Sequence, residues 1–260
     1  MPYIVAHGCR LHYRFDGLEM GPVLVFSNSL GNDIGMWNAQ VAAFSRTHRV
    51  LRYDTRGHGK SEVPAGPYTI ELLGRDLVAL LDGLEIERVH FCGLSLGGMA
   101  GIWLAANAPD RLDRIVLANT SARLGPPQMW DDRINMVRAQ GMSAIADIVL
   151  QRWFTPSFRL EAPDAVQDCR RMLLETSPEG YASCCAAIRD MDEVELLGRI
   201  TKPALVVIGE HDPATPPPHG QLIASRISHA ITVTLPAAHL SNIEAAAAFN
   251  AAVTQFLAAS

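Results

Sequence analysis

Val89-His90-Phe91-Cys92-Gly93-Leu94-Ser95-Leu96-Gly97-Gly98-Met99 carries a mostly apolar run into a small-residue helical pattern through a turn with glycine on both sides of a serine. Residues 89–92 read as a buried strand, and the helix opening at Leu96 runs until Pro109 stops it. So tight a strand-to-helix turn has no room for Cβ atoms beside the serine, whose own backbone is strained. The turn lifts the hydroxyl off the sheet edge, near the positive end of the following helix. The competing reading is an ordinary glycine-rich turn. The strand before it and the helix after it favour a nucleophile.

Outward from this turn, short apolar runs alternate with helix-period segments. Residues 3–5 and 11–15, turning near Gly8, predict a hairpin, and residues 23–26, 50–53, 115–118, 204–208 and 231–235 predict further strands. Most are apolar throughout, as expected where helices cover both sheet faces. Residues 69–84 place Leu72, Leu73, Leu77, Leu80, Leu81 and Leu84 on one helical stripe. Ser241 with Glu244 three residues on predicts a capping box for a last helix ending near Leu257. The repetition predicts an α/β chain with a mostly parallel sheet and right-handed crossovers. Residues 122–190 break the rhythm with helical patterns and Trp130, Trp153, Phe154, Phe158 and Tyr181. They are expected to form a helical lid inserted into a core of residues 1–121 and 191–260.

Composition excludes several classes. The 260 residues are 48% hydrophobic and 19% charged, with net charge −5, as in a globular enzyme. No long basic run offers a footprint for nucleic acid, so an anionic substrate must be met by local arginines. The odd set Cys9, Cys92, Cys169, Cys184 and Cys185 contains no C-x-x-C, so it forms neither a disulfide ladder nor a zinc pattern, and Cys92 reads as a small buried hydrophobe. The N-terminal residues lack a charged start and apolar h-region, and no 18-residue apolar stretch occurs; the expectation is a cytoplasmic protein with no membrane partner. Gly59-Lys60-Ser61 lacks the first glycine of a P-loop, and no G-x-G-x-x-G opens a helix after the first strand. Neither a cofactor nor a metal is expected.

A serine hydroxyl needs an adjacent base. After such an elbow the partners follow in the order Asp or Glu, then His. Downstream of Ser95 stand His211, His219, His229 and His239. His229 precedes a strand and so lies at the wrong sheet edge, and His219 sits among prolines. His239 follows the last strand, at the carboxyl edge where α/β sites form. Asp212, after the strand at 204–208, is the expected acid, with Glu210 as rival and a turn-forming Asp as the plain reading. The end of the preceding strand, Asn119-Thr120-Ser121, offers no carboxylate. The oxyanion formed on attack needs two N–H donors, one from Leu96 and one from the loop Ser27-Asn28-Ser29-Leu30-Gly31.

Together, Asp54-Thr55-Arg56-Gly57-His58-Gly59-Lys60-Ser61, Gly93-Leu94-Ser95-Leu96-Gly97-Gly98-Met99 and Ser27-Asn28-Ser29-Leu30-Gly31-Asn32-Asp33 resemble the 3-oxoadipate enol-lactonases, α/β-hydrolases of bacterial aromatic-acid degradation. The resemblance spans nearly the whole chain and is weakest at 122–190. Asn28-Ser29 stands where many α/β-hydrolases have His-Gly; this points to the lactonases and puts Leu30 at the second donor position. The resemblance implies an α/β-hydrolase fold and opening of a small anionic lactone. The substrate's free carboxylate would then meet an arginine of 122–190. Arg123, Arg133, Arg138 and Arg152 are candidates, with Arg133 favoured beside Trp130, and Trp153 expected nearby. A different small-ester carboxylesterase and a non-catalytic ligand-binding relative remain the alternatives.

Overall fold

A computed structural model describes residues 2–259. Its strands are β1 (Tyr3–Ala6), β2 (Cys9–Gly17), β3 (Val23–Ser27), β4 (Arg49–Tyr53), β5 (Val89–Leu94), β6 (Leu112–Ala118), β7 (Ala204–Gly209) and β8 (Ile231–Leu235). They form one sheet in the order β1-β2-β4-β3-β5-β6-β7-β8. β1 and β2 make the antiparallel hairpin, β2 pairs antiparallel with β4, and every later neighbour is parallel. β7 is buried at all six positions, whereas β8 at the sheet edge exposes Ile231, Thr232 and Thr234. Burial on both faces is therefore a property of the inner strands.

Parallel neighbours need crossovers, and helices supply them: α1 (Asn38–Phe44), α2 (Ile70–Gly83) and α3 (Leu96–Asn107). In α2 the stripe Leu73, Leu77, Leu80 and Leu81 is buried, each side chain contributing about 1.5–3 kcal/mol by leaving water. Thr69 caps that helix by accepting from the amide of Leu72 at 3.0 Å. Between β6 and β7 come α4 (Pro127–Gln140), α5 (Ala146–Trp153), α6 (Pro156–Glu161), α7 (Pro163–Glu175) and α8 (Pro178–Asp190). Then α9 (Pro217–Arg226) links β7 to β8, and α10 (Ser241–Glu244) and α11 (Ala246–Ala258) end the chain.

Two backbone seams join the segment between β6 and β7 to the rest. A Cβ on Gly180 would meet the Gly57 carbonyl oxygen at 2.1 Å, and one on Gly57, whose φ is +79°, would meet the Gly180 Cα at 2.6 Å. Two bare backbones thus touch where no side chain fits. At the second seam, Leu240 N donates to the Trp153 carbonyl at 3.0 Å, and the Thr155 hydroxyl donates to Glu244.

The capping box at Ser241 does not form. Ser241 lies inside the first turn of α10, where its hydroxyl donates to Asn119 Oδ1 at 2.5 Å. The Glu244 carboxylate instead accepts from Thr155 and from the amide of Ala238 at 2.8 Å. The expected single last helix is also broken at Ala245, whose backbone is not helical. Long-range partners outbid the local pattern.

Because β3, β5, β6, β7 and β8 run parallel, their carboxyl ends share one edge of the sheet. From β3 the chain crosses to β4 on one side, and from β5 to β6 on the other, so the order reverses between β3 and β5. A crevice opens at such a reversal, and the candidate residues gather there.

Candidate active site

Ser95 follows β5 with φ +54° and ψ −115°, outside the regions a serine prefers, a strain of roughly 1–3 kcal/mol held by its surroundings. A Cβ on Gly93 would sit 2.3 Å from the Gly97 oxygen, and one on Gly97 2.2 Å from the Ser27 oxygen. The two flanking glycines are therefore steric requirements. The turn is pinned to β6 by the Ser95 amide, which donates to the Ala118 carbonyl at 3.0 Å, and by the Thr120 hydroxyl, which donates to the Ser95 carbonyl at 2.7 Å. Among the described residues the Ser95 hydroxyl has no hydrogen-bond partner, and it lines a cavity shared with His239.

After β7, the Asp212 carboxylate accepts from His239 Nδ1 at 2.8 Å; the acceptor is a carboxylate, so Nδ1 carries the proton and Nε2 is the nitrogen left for the cavity. Burial opposes ionisation of Asp212. The His239 imidazole, the amide of Thr215 and Asn119 nonetheless hold its carboxyl below the usual range. Glu210, the rival acid, is exposed and makes no part of this contact. His211 and His229 are exposed as well.

The loop after β3 packs beside the elbow, with Gly97 N donating to the Asn28 carbonyl at 3.0 Å. Asn28 is fully engaged: its Nδ2 donates to the Tyr53 carbonyl at 3.0 Å and its Oδ1 accepts from Trp37 at 2.9 Å. Gly31 N donates to His58 Nε2 at 2.9 Å, which requires a neutral imidazole, and burial pushes His58 down to about 4. The amides of Leu30 and Leu96 find no acceptor among the described residues. Two free donors beside an unpartnered hydroxyl suit a developing oxyanion.

The cavity measures about 240 Å³, below the roughly 300–1,000 Å³ of drug-sized pockets, and is suited to a small molecule. Trp130, Arg133, Arg152 and Trp153 line it, while Arg123 and Arg138 face Asp192 and Glu179 at the surface. Arg133 lies over the Trp130 ring at 5.1 Å. Neither Arg133 nor Arg152 has a carboxylate partner among the described residues. Burial and the charge of Arg133 pull Arg152 below the ordinary guanidinium value.

Three lining or supporting residues were missed by sequence reasoning. Tyr181 is buried on α8 against the cavity. His219 also lines it; the Ser121 hydroxyl donates to the Arg123 carbonyl at 2.6 Å, so it accepts from His219 Nδ1 at 2.8 Å, leaving Nε2 an acceptor. Pro217 and Pro218 around it are the first turn of α9, where proline is at home, so the stretch is a helix start. Asn119, noted only for lacking a carboxylate, donates to Asp212.

Residues 22–161 match a family model described as the alpha/beta hydrolase fold. The chain is 44% identical over 250 residues to 3-oxoadipate enol-lactonase 2 of Acinetobacter baylyi, covering 96% of this chain and 94% of that one. The crystal structure of the enol-lactonase from Burkholderia xenovorans LB400 superposes with a TM-score of 0.98 at 48% identity, covering 99% of this chain and 100% of that one. A thermophilic esterase from Thermogutta terrifontis, solved with malate bound, gives 0.91 at 28% identity over 98% and 97% of the two chains. The chain belongs to the α/β-hydrolase fold family, in the neighbourhood of its 3-oxoadipate enol-lactonases.

Proposed function

We propose that this protein hydrolyses the five-membered enol-lactone of 3-oxoadipate to the open keto acid, in bacterial degradation of aromatic acids in the cytoplasm. His239 Nε2 takes the proton of Ser95 as its oxygen attacks the lactone carbonyl. The oxyanion receives N–H bonds from Leu30 and Leu96, and Asp212 steadies the imidazolium. Collapse expels the ring oxygen as an enolate, which takes the proton held on His239 Nε2 and becomes a ketone, leaving the imidazole neutral. So good a leaving group needs little general-acid help. Water activated by His239 then releases the acyl group from Ser95.

The observation that carries this reading is the presence, around one small cavity, of the hydroxyl, the imidazole–carboxylate pair and two arginines with no carboxylate partner among the described residues. The substrate has the matching features, an acyl carbon and a free carboxylate. Residues 122–190 serve as the lid that brings Arg133, Arg152, Trp130 and Trp153 over the core formed by 1–121 and 191–260. A small-ester carboxylesterase is the second reading, favoured by the similarity to the Thermogutta esterase. Purified protein assayed on the enol-lactone and on a neutral aryl acetate separates them. We expect kcat/KM to favour the lactone by orders of magnitude; preference for the acetate would overturn the lactonase reading.

A further inference from the structure

The Asp212 carboxylate is held by more than its histidine. Its Oδ1 accepts from the amides of Ala214 at 2.8 Å and Thr215 at 3.0 Å. Its Oδ2, the oxygen bonded to His239, also accepts from the Thr215 hydroxyl at 2.7 Å and from Asn119 Nδ2 at 3.0 Å. Asn119 stands at the end of β6, in the next strand over, with φ +44°, a left-handed conformation that asparagine tolerates well. The orientation of its amide is fixed independently. Ser241 donates to Oδ1 at 2.5 Å, and Nδ2 has a second acceptor in the Ala238 carbonyl at 3.1 Å, next to His239. Asn119, Ser241, Asp212 and His239 are each about 97% buried or more, so every one of these bonds is shielded from water.

We propose that Asn119 is a positioning residue of the hydrolytic site: a single side chain from β6, oriented by Ser241, that locks both the acid carboxylate and the backbone beside the base. This rests on the Ser95–His239–Asp212 reading. Two further groups bear on the cluster: His219, bonded to Ser121, and Arg152 line the cavity with His239 and interact electrostatically with Asp212 in every variant that keeps this carboxylate, whereas Glu244 is engaged by Thr155 and Ala238 N.

The test measures kcat, KM, melting temperature and the pH profile of kcat/KM for three variants of the full chain. Asp212→Asn comes first; if it keeps wild-type activity, the triad reading itself fails. Given that it is impaired, Asn119→Ala should lower kcat roughly tenfold, the loss expected of one buried hydrogen bond to a charged group, with KM little changed. Its acid limb should move to higher pH, because a carboxylate stripped of a competing donor holds the imidazolium more strongly. Ser241→Ala should shift the limb in the same direction by less. A melting temperature that falls in Asn119→Ala with kcat and the acid limb unmoved would reduce Asn119 to a structural residue.

Discussion

The two walls of the cavity are finished to different degrees. On the sheet side, Asp212 accepts five hydrogen bonds, His239 Nδ1 is taken, Asn28 is satisfied at both ends, and the elbow is wedged by glycines. On the helical side, Arg133 and Arg152 lie half-buried with no carboxylate partner among the described residues. The lesson is a division of labour. Groups that must not move during bond breaking are saturated, and groups that must greet a ligand are left wanting one.

Replacing Ser95 by Ala attacks the finished wall and carries the largest effect. It should cut kcat by roughly 10⁴ or more, because the members of such a unit act together. Folding should survive or improve slightly as the hydroxyl leaves its shielded corner, and thermal denaturation checks that. Retention of most activity would erase the contrast between the walls. Arg133→Gln attacks the unfinished wall. The loss of one charge-assisted contact should raise KM for the anionic lactone by roughly 10- to 100-fold, with much less change for a neutral aryl ester. Arg138→Gln, which breaks only an exposed pair with Glu179, should leave both within twofold. Equal effects of Arg133→Gln on both substrates would show that the open guanidinium serves packing.

Glu193 sharpens the comparison where the helical segment rejoins the sheet, its amide donating to the Ala122 carbonyl at 2.7 Å. Its carboxyl is 4% exposed, neither oxygen has a partner among the described residues, and burial pushes it up to about 9. The folded chain thus keeps this acid neutral, while the unfolded chain ionises it above an ordinary 4.5. Its contribution is fully present below that value and drains away as pH rises toward 9, by at most about 1.4 kcal/mol per pH unit. Urea midpoints measured from pH 6 to pH 9 should fall in the native protein, and the slope should flatten in Glu193→Gln. His58 works with the opposite sign. Its lowered value makes the loop after β3 lose stability as pH falls from the ordinary histidine range toward 4.

The sheet and its elbow were legible because steric and hydrophobic demands are local. Glycines flanking Ser95 and apolar inner strands leave few other readings, and parallel order delivers positions 95, 212 and 239 to one edge. The helical wall was legible only as a short set of candidates. Which of Arg123, Arg133, Arg138 and Arg152 faces inward depends on the course of the loop before α4 and on how α4 and α5 roll against their neighbours, and no spacing records that. Ser241 with Glu244 shows the converse failure. The pattern is present, but Asn119 and Thr155, remote in sequence, claim both side chains. The role of Asn119 was not legible, since it exists only once β6 and β7 lie side by side.

The seam at Gly57 and Gly180, with the stitch from Trp153 to Leu240, has an evolutionary implication. A roof sewn to its foundation by main-chain atoms cannot be re-hung to accommodate a new guest without unpicking the stitches. Drift toward other acyl compounds in this lineage should therefore proceed by exchanging side chains on a fixed ceiling, at 130, 133, 152 and 153, while the glycines of the seam stay as they are.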